Sequence, residues 1–291
     1  MKSGAGRAHS RDASLAWALL APALVLLAAV AVGPLLATIW ESLHQHDLRM
    51  PWLGRPFVGL GNYREALTDT RLHQALLHTT AFAAVSVALE LALGLALALS
   101  LDALTRGRGI ARVVVLLPWA IPTVVAALVW RFMFDSQGIA GALYQDWLSR
   151  PFAAWVPIVL GDVWKSTPFV ALLLLAGLQG IDSSLYEAAR MDGASRWRRF
   201  TQITLPLLRP AIAVAVVFRT LDAFRVFDLV YVLTSGGPGT ATEVVSLYAF
   251  TVLLQDLRFG YGSALSVIVF GVTFALALAY IRLLRSRGEA A

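Results

Sequence analysis

The sequence LYEAARMDGASRWRRFTQITLP occupies residues 185–206 and is the most informative stretch of the chain. Its pattern predicts two short helices separated by a glycine. Ser184 is a favourable N-cap for the first helix, and Glu187 stands three residues later, as in a capping box. Gly193 can adopt the left-handed conformation that ends a helix, and Ser195 can then cap the second helix. We therefore predict a polar helix–turn–helix that presents a charged surface to another protein.

The composition of the chain indicates which solvent surrounds it. The 291 residues are 58% hydrophobic and 14% charged, with a mean hydropathy of +0.69. A water-soluble domain of this length does not carry so many apolar residues, so we predict an all-α membrane protein. The net charge of +6 arises from basic residues at the ends of apolar runs, which indicates membrane topology and no nucleic-acid partner. Since the chain has no cysteine and its five histidines form no ligand cluster, no metal site is predicted.

Six apolar runs are long enough to cross a bilayer. They are predicted at residues 15–40, 78–101, 113–134, 156–180, 207–234 and 262–284. Residues 1–13 are predicted to be a polar N-terminal tail, followed by one transmembrane domain over residues 14–291. Lysine and arginine are more frequent on the side that holds both termini and the loop of residues 182–206. The positive-inside rule therefore places this loop and both termini in the cytoplasm of a multi-pass cell-membrane protein.

Part of the polar loop resembles a known family motif. The motif residues are Glu187, Ala188, Ala189, Gly193, Ile203, Leu205 and Pro206. Their types and spacing resemble the EAA loop of ABC-importer permeases. The resemblance implies that this loop, including Arg196, forms coupling helices that dock into a cytoplasmic ATPase. The alternative is an amphipathic helix held by anionic lipid, which explains the arginines but not the spacing of the motif.

Two further segments resemble the first of the two permease subunits of maltose- and trehalose-type sugar importers. They are FVGLGNYREAL at residues 57–67 and FRTLDAFRVFDLVYVLTSGGPGTATE at residues 218–243. The resemblance implies a type I ABC importer permease fold with six transmembrane helices. It also implies three kinds of partner: a second permease subunit, two cytoplasmic ATPase subunits and an external substrate-binding protein. The implied substrate is an α-linked disaccharide such as trehalose or maltose, with glycerol phosphate as an alternative.

The chain itself contains no motif for catalysis or nucleotide binding. The glycines of residues 236–239 lack the lysine and the strand–helix context of a phosphate-binding loop. We therefore predict a subunit that is not an enzyme and binds no cofactor, with ATP and Mg²⁺ on the partner ATPases. A function of a different class is an ion-coupled secondary transporter, in which charges inside the membrane relay protons or sodium. Such transporters often contain two repeated halves, and the sequence shows no such repeat.

Charged residues inside the predicted spans mark candidate functional positions, because charges are costly in lipid. Asp162 and Lys165 stand three residues apart and are able to pair along one helix. The longest set alternates in sign every three residues and comprises Arg219, Asp222, Arg225 and Asp228. Two interpretations remain open for these charges: they line the substrate pathway, or they pair between packed helices. For Glu90, which is isolated in its span, an interhelical hydrogen bond is expected.

The candidate pathway residues combine aromatic faces with polar groups that bond to hydroxyls. They are Trp164, Lys165, Gln179, Phe224, Tyr231 and Asp228. The candidates for intramembrane charge pairing are Arg219, Asp222, Arg225 and Glu90. On an ideal helix, a step of three residues turns the side chain by about −60°, so the alternating set cannot all face one sugar. We expect Asp222 to be the centre of the pairing, and Phe224 and Tyr231 to face one cavity.

Overall fold

The computed structural model describes Trp17 and residues 19–288, with side chains described as far as Arg282. Across these residues, every regular element is a helix. Five helices are long and apolar enough to span a membrane: Leu19–Ser42, Thr70–Ala103, Trp155–Gln179, Arg196–Ala223 and Phe259–Arg282. A bent pair, Arg108–Ala120 and Thr123–Phe134, is long and apolar enough to be a sixth if its two helices form one span. The predicted tail of residues 1–13 and the first residues of the first predicted span lie outside the described residues.

The helices are numbered here in chain order. They are α1 (Leu19–Ser42), α2 (Gly61–Thr68), α3 (Thr70–Ala103), α4 (Arg108–Ala120), α5 (Thr123–Phe134), α6 (Trp155–Gln179), α7 (Ser183–Met191), α8 (Arg196–Arg199), α9 (Leu205–Ala223), α10 (Asp228–Leu233), α11 (Val245–Phe250) and α12 (Phe259–Gly288). Wider π-helical turns occur at Ala28–Val32 within α1, at Phe200–Thr204 before α9 and at Thr251–Gln255 after α11.

Two of the predicted spans are interrupted. The third span bends by 83° between α4 and α5, at a segment bracketed by Pro118 and Pro122. Proline removes a backbone donor and clashes with the preceding turn, so a bend here follows from the sequence. The fifth span ends as a helix at Ala223, and residues 224–227 separate α9 from α10. Since one ideal helix does not continue through residues 207–234, the predicted rotation of the charged set does not apply beyond Ala223.

The chain divides into two compact units. The first contains the described part of Met1–Thr68 together with Ala249–Ile268. In this unit, Asn62 Nδ2 donates to the carbonyl of Ser42 at 2.8 Å and to that of His44 at 3.0 Å. These bonds anchor α2 to the last residue of α1 and to the segment that follows it.

The second unit comprises Asp69–Tyr248 and the described part of Val269–Ala291, and α3, α6 and α9 form a hydrophobic core within it. The buried residues of this core are Ala98, Leu101, Val170, Leu174, Leu175, Leu178, Leu208 and Ala215. A Cβ on Gly94 of α3 would lie 2.7 Å from Val170 Cγ1, and one on Gly177 of α6 would lie 2.6 Å from Ala211 Cβ. Small residues at these points allow the three helices to approach closely, as is usual in membranes.

Candidate functional site

The centre of the second unit is an ion pair between two helices. Arg219 of α9 is 3% exposed and Glu90 of α3 is fully buried. The guanidinium donates from Nε to Glu90 Oε2 at 2.5 Å and from Nη2 to Glu90 Oε1 at 2.7 Å. These two hydrogen bonds are bidentate, the geometry that best matches a guanidinium to a carboxylate. A buried ion pair needs such good geometry to offset the cost of desolvation. Glu90 therefore hydrogen-bonds across the interface between α3 and α9.

Arg219 also contacts two aspartates. Its Nη2 donates to Asp162 Oδ2 on α6 at 3.1 Å, and its Nη1 donates to Asp222 on α9. Three carboxylates from three helices thus surround one guanidinium, and we call Arg219, Glu90, Asp162 and Asp222 the arginine cluster. The expectation that Asp222 is the centre of the pairing was wrong, because Arg219 is the shared partner. The side chain of Asp222 is 64% exposed and lies at the edge.

Two more cations lie near the arginine cluster. Arg225 follows the end of α9, and its Nη2 is 4.0 Å from Asp222 Oδ1, with both side chains exposed. Lys165 does not form the expected pair with Asp162. Its Nζ instead donates to two backbone carbonyls at the end of α4, at 2.6 Å and 3.2 Å. The reason is the break in the third span, which leaves carbonyl oxygens without partners in their own helix.

The exposed edge of the arginine cluster opens into a cavity of about 440 Å³. Its lining residues are Trp119, Ser166, Phe169, Phe218, Arg219, Leu221, Asp222, Arg225 and Thr273. Trp119 stacks on Phe169 with ring centroids 5.9 Å apart, and Phe169 meets Phe218 edge-to-face at 6.5 Å. We call these three residues the aromatic wall. The cavity therefore places aromatic faces beside a carboxylate and a guanidinium that are accessible to a ligand.

A smaller polar cavity of about 140 Å³ shares three residues with the larger one. Its lining residues are Thr123, Asp162, Lys165, Ser166, Asp222, Ala223, Arg225, Val226, Phe227, Asp228 and Leu229. These residues include the start of α5 and the irregular segment after α9, so both interrupted spans border this cavity. Of the polar residues predicted for the pathway, Lys165 and Asp228 lie here, whereas Gln179 is the exposed last residue of α6.

Three aromatic residues predicted for the pathway lie outside the larger cavity. Phe224 is 6% exposed, so the expectation that it faces a cavity was wrong. The break after α9 removes the helical spacing that placed it beside Tyr231. Tyr231 stacks on a neighbouring phenylalanine with centroids 5.4 Å apart, and Trp164 packs edge-to-face on a tryptophan at 6.1 Å.

The aromatic wall was missed by the sequence analysis. The nearest available signal is the position of Trp119, between two prolines of the third span. Those prolines mark a break in the helix, and side chains beside such breaks often line a cavity in membrane proteins. Phe169 and Phe218 carry no comparable signal, because phenylalanine is common on every face of a membrane helix.

The polar loop folds into two short helices, as its sequence predicts. α7 ends two residues before Gly193, which has a φ of +74°. Ser195 Oγ accepts a hydrogen bond at 3.2 Å from the N–H three residues later, at the start of α8. The predicted first cap was wrong: Asp182, not Ser184, is the N-cap of α7, and it accepts from the N–H of Ser184 at 2.9 Å. This backbone hydrogen bond holds the pKa of Asp182 below its usual range.

The surface of the polar loop mixes charged and large apolar side chains. Met191 is 90% exposed and Trp197 is 72% exposed. Because α7 begins at Ser183, Glu187 does not occupy the capping-box position. Its exposed carboxylate has no hydrogen-bond or ion-pair partner within the described residues. Of the other residues predicted to contact the ATPase, Ala188 and Arg196 are also exposed, whereas Ala189, Ile203, Leu205 and Pro206 are half-buried. Such a surface is typical of a protein-binding site.

An exposed polar loop, and cavities beside interrupted apolar helices, are features expected of a membrane permease. Residues 90–287 match the family described as binding-protein-dependent transport system inner membrane component. The chain belongs to this family and is a permease subunit of an ABC importer. This membership removes the basis for the alternative of an ion-coupled secondary transporter.

Two relatives agree with this assignment, and one solved structure has a similar fold. The trehalose/maltose transport system permease protein MalF of Thermococcus litoralis is 44% identical over 288 residues, covering 96% of this chain and 96% of that protein. The trehalose transport system permease protein SugA of Mycobacterium tuberculosis is 42% identical over 275 residues, covering 92% and 88%. A chain of a bacterial ABC transporter involved in alginate import has a TM-score of 0.82 at 23% identity, covering 96% of this chain and 98% of that chain. The last likeness shows the type I importer permease fold.

Proposed function

We propose that the chain forms half of the translocation pathway of an ATP-driven importer for an α-linked disaccharide such as trehalose or maltose. The observation that carries this proposal is the aromatic wall beside Asp222 and Arg225 in the larger cavity. Sugars place their apolar ring faces on aromatic side chains and their hydroxyls on carboxylates and guanidinium groups. The cavity volume of about 440 Å³ falls within the usual range for ligand sites, which is about 300–1,000 Å³. The two relatives, which are named as trehalose/maltose and trehalose transport permeases, support the same substrate class.

The charge of the cavity favours a neutral sugar over glycerol phosphate. A phosphate monoester carries a charge of about −1.5 to −2 near neutral pH. Arg225 is the cavity cation with an exposed side chain, and it lies 4.0 Å from the carboxylate of Asp222. An anionic substrate would therefore approach a carboxylate as well as a cation. A neutral sugar avoids that repulsion and can accept from Arg225 while it donates to Asp222.

The proposed complex contains a second permease subunit, two ATPase subunits and an external substrate-binding protein. The second permease provides the other wall of the cavity, and the ATPases bind the ATP and Mg²⁺ that this chain does not bind. We assign the ATPase contact to the polar loop. We place the polar loop and both termini on the cytoplasmic side of the membrane. The exposed side chains of Met191, Trp197 and Glu187 support that assignment, because they leave apolar area and a charge available to a partner.

Uptake by the reconstituted complex tests the proposed function. The chain is inserted into proteoliposomes with its partner subunits, and labelled trehalose, maltose and glycerol phosphate are supplied with the loaded binding protein. We expect ATP-dependent uptake of at least one disaccharide and none by this chain alone. Uptake of glycerol phosphate without either sugar would contradict the substrate class. Uptake by the lone chain under an ion gradient would contradict the ABC mechanism.

The orientation has a separate test, which uses the absence of natural cysteine. Met191→Cys in the polar loop and Trp52→Cys on the opposite predicted side are matched positions, since the native residues are 90% and 76% exposed. A membrane-impermeant maleimide is added to cells in which it can reach the outer face of the intact cell membrane. It is expected to label only the Trp52→Cys variant. Met191→Cys should react after the membrane is opened. The reverse pattern would place the polar loop outside.

A further inference from the structure

Lys165 of α6 binds the backbone where the third span breaks. Its Nζ donates to the carbonyl oxygen of Ile121 at 2.6 Å and to that of Trp119 at 3.2 Å. The last carbonyls of a helix lack partners within that helix, and an ammonium at this end also complements the helix dipole. In a membrane, each carbonyl without a partner is costly. Lys165 therefore stabilises the end of α4 at the 83° bend.

A second contact from α6 fixes the side chain of the same tryptophan. Phe169 stands four residues after Lys165, so the two side chains lie about one turn apart on one face of the helix. The rings of Phe169 and Trp119 stack with centroids 5.9 Å apart and an interplanar angle of 19°. One helix thus contacts the backbone of Trp119 through Lys165 and its indole through Phe169. Trp119 is still 50% exposed and lines the larger cavity.

We propose that Lys165 is a positioning residue for sugar binding, and that it acts by holding Trp119 in the aromatic wall. The inference rests on the proposed function, because it concerns the cavity assigned there to the sugar. Lys165 is not among the residues that line the larger cavity. Lys165 lines the smaller cavity instead, so we expect its effect on a sugar in the larger cavity to pass through Trp119.

Fluorine NMR follows Trp119 directly in the purified complex. This chain contains nine tryptophans, and in 5-fluorotryptophan-labelled protein the resonance lost in Trp119→Phe belongs to Trp119. We expect Lys165→Met to shift that resonance, and Lys165→Arg, which retains donors, to leave it nearly unchanged. Arg131→Met is the matched control, because Arg131 Nη1 donates to the backbone carbonyl of Val232 at 3.0 Å. That control should leave the Trp119 resonance in place. An unshifted Trp119 resonance in Lys165→Met would overturn the proposal.

Uptake rates show whether this positioning matters for transport. Lys165→Met and Trp119→Ala are each expected to slow disaccharide uptake about fivefold, as for the loss of one aromatic contact. The double variant should be no slower than Trp119→Ala alone, since Lys165 acts through Trp119. Effects that multiply would show that the two residues act separately, which also overturns the proposal. If the wild-type complex takes up neither sugar, the proposed function fails, while the fluorine spectrum still decides the role of Lys165.

Discussion

The polar loop and the arginine cluster differ in the sequence distance between the residues that stabilise them. In the loop, each turn depends on close neighbours: Gly193 has a φ of +74° and Ser195 caps the helix that follows it. In the cluster, Arg219 meets Glu90 from 129 residues away and Asp162 from 57 residues away. Local pattern therefore predicts the loop, whereas the cluster becomes visible only when the packing of three helices is known.

The largest effect is expected from removing the centre of the arginine cluster. Arg219→Met leaves buried Glu90 without its cation, which costs about 3–5 kcal/mol when a buried pair is broken. We expect little assembled complex, measured as yield after size-exclusion chromatography. Arg225→Met is the control, because that side chain is 67% exposed and its pair contributes little. Equal yields of the two variants would show that Arg219 is not the structural centre.

The same comparison explains how much the sequence predicts. Apolar length predicts the five helices that are long enough to span a membrane, and the bend between α4 and α5 has prolines beside it. The break after Ala223 has no such marker, because residues 218–233 contain neither proline nor glycine. This break moves Phe224 out of register with Tyr231 and so changes the predicted cavity. The aromatic wall likewise depends on which helices are neighbours, and the sequence spacing does not contain that information.

Substitutions at two glycines test whether the polar loop depends on the positive φ of Gly193. A Cβ at Gly193 or at Gly109 would meet no atom within 4 Å, so space is equal at both sites, but only Gly193 has a positive φ. Gly193→Ala is therefore expected to destabilise the loop by about 1–2 kcal/mol, the cost of a left-handed conformation. Gly109→Ala, in α4, should be neutral or slightly stabilising. Protection of the loop amides from hydrogen exchange is the measurement, and equal protection in both variants would refute backbone strain as the control.

Smaller effects distinguish the observed caps from the predicted one. Ser195→Ala removes the cap of α8 and should cost about 1 kcal/mol of local helix stability. Ser184→Ala should have almost no effect, because Ser184 is not the N-cap of α7. Hydrogen exchange of the amides at the start of each helix measures both. Loss of protection in α7 on Ser184→Ala would support the sequence-based prediction that Ser184 is the N-cap.

The cap at Asp182 predicts a weak pH dependence of the loop. Its pKa is lowered in the folded chain by the backbone hydrogen bond from Ser184. A lowered pKa means that the stabilisation is present above the ordinary aspartate value and is lost as pH falls through the folded value. Protection of the first amides of α7 should therefore fall in acid in the wild type. Asp182→Asn retains a capping oxygen but does not titrate, so the loss of protection in acid should be absent in this variant. If the loss of protection persists, another group is responsible for it.

The measurement that tests the central claim most directly is made on Asp222→Asn. Asp222 is the member of the arginine cluster that is exposed to the cavity, while Arg219 and Glu90 are buried. The variant is purified with its partner subunits beside Asp146→Asn, which alters another exposed ion pair. We predict wild-type complex yield for both, and uptake lowered about tenfold or more for Asp222→Asn alone, as for a lost hydrogen bond to a charged group. Wild-type uptake by Asp222→Asn, or failure of that variant to assemble, would contradict the division of the cluster into a buried structural part and an exposed sugar-binding part.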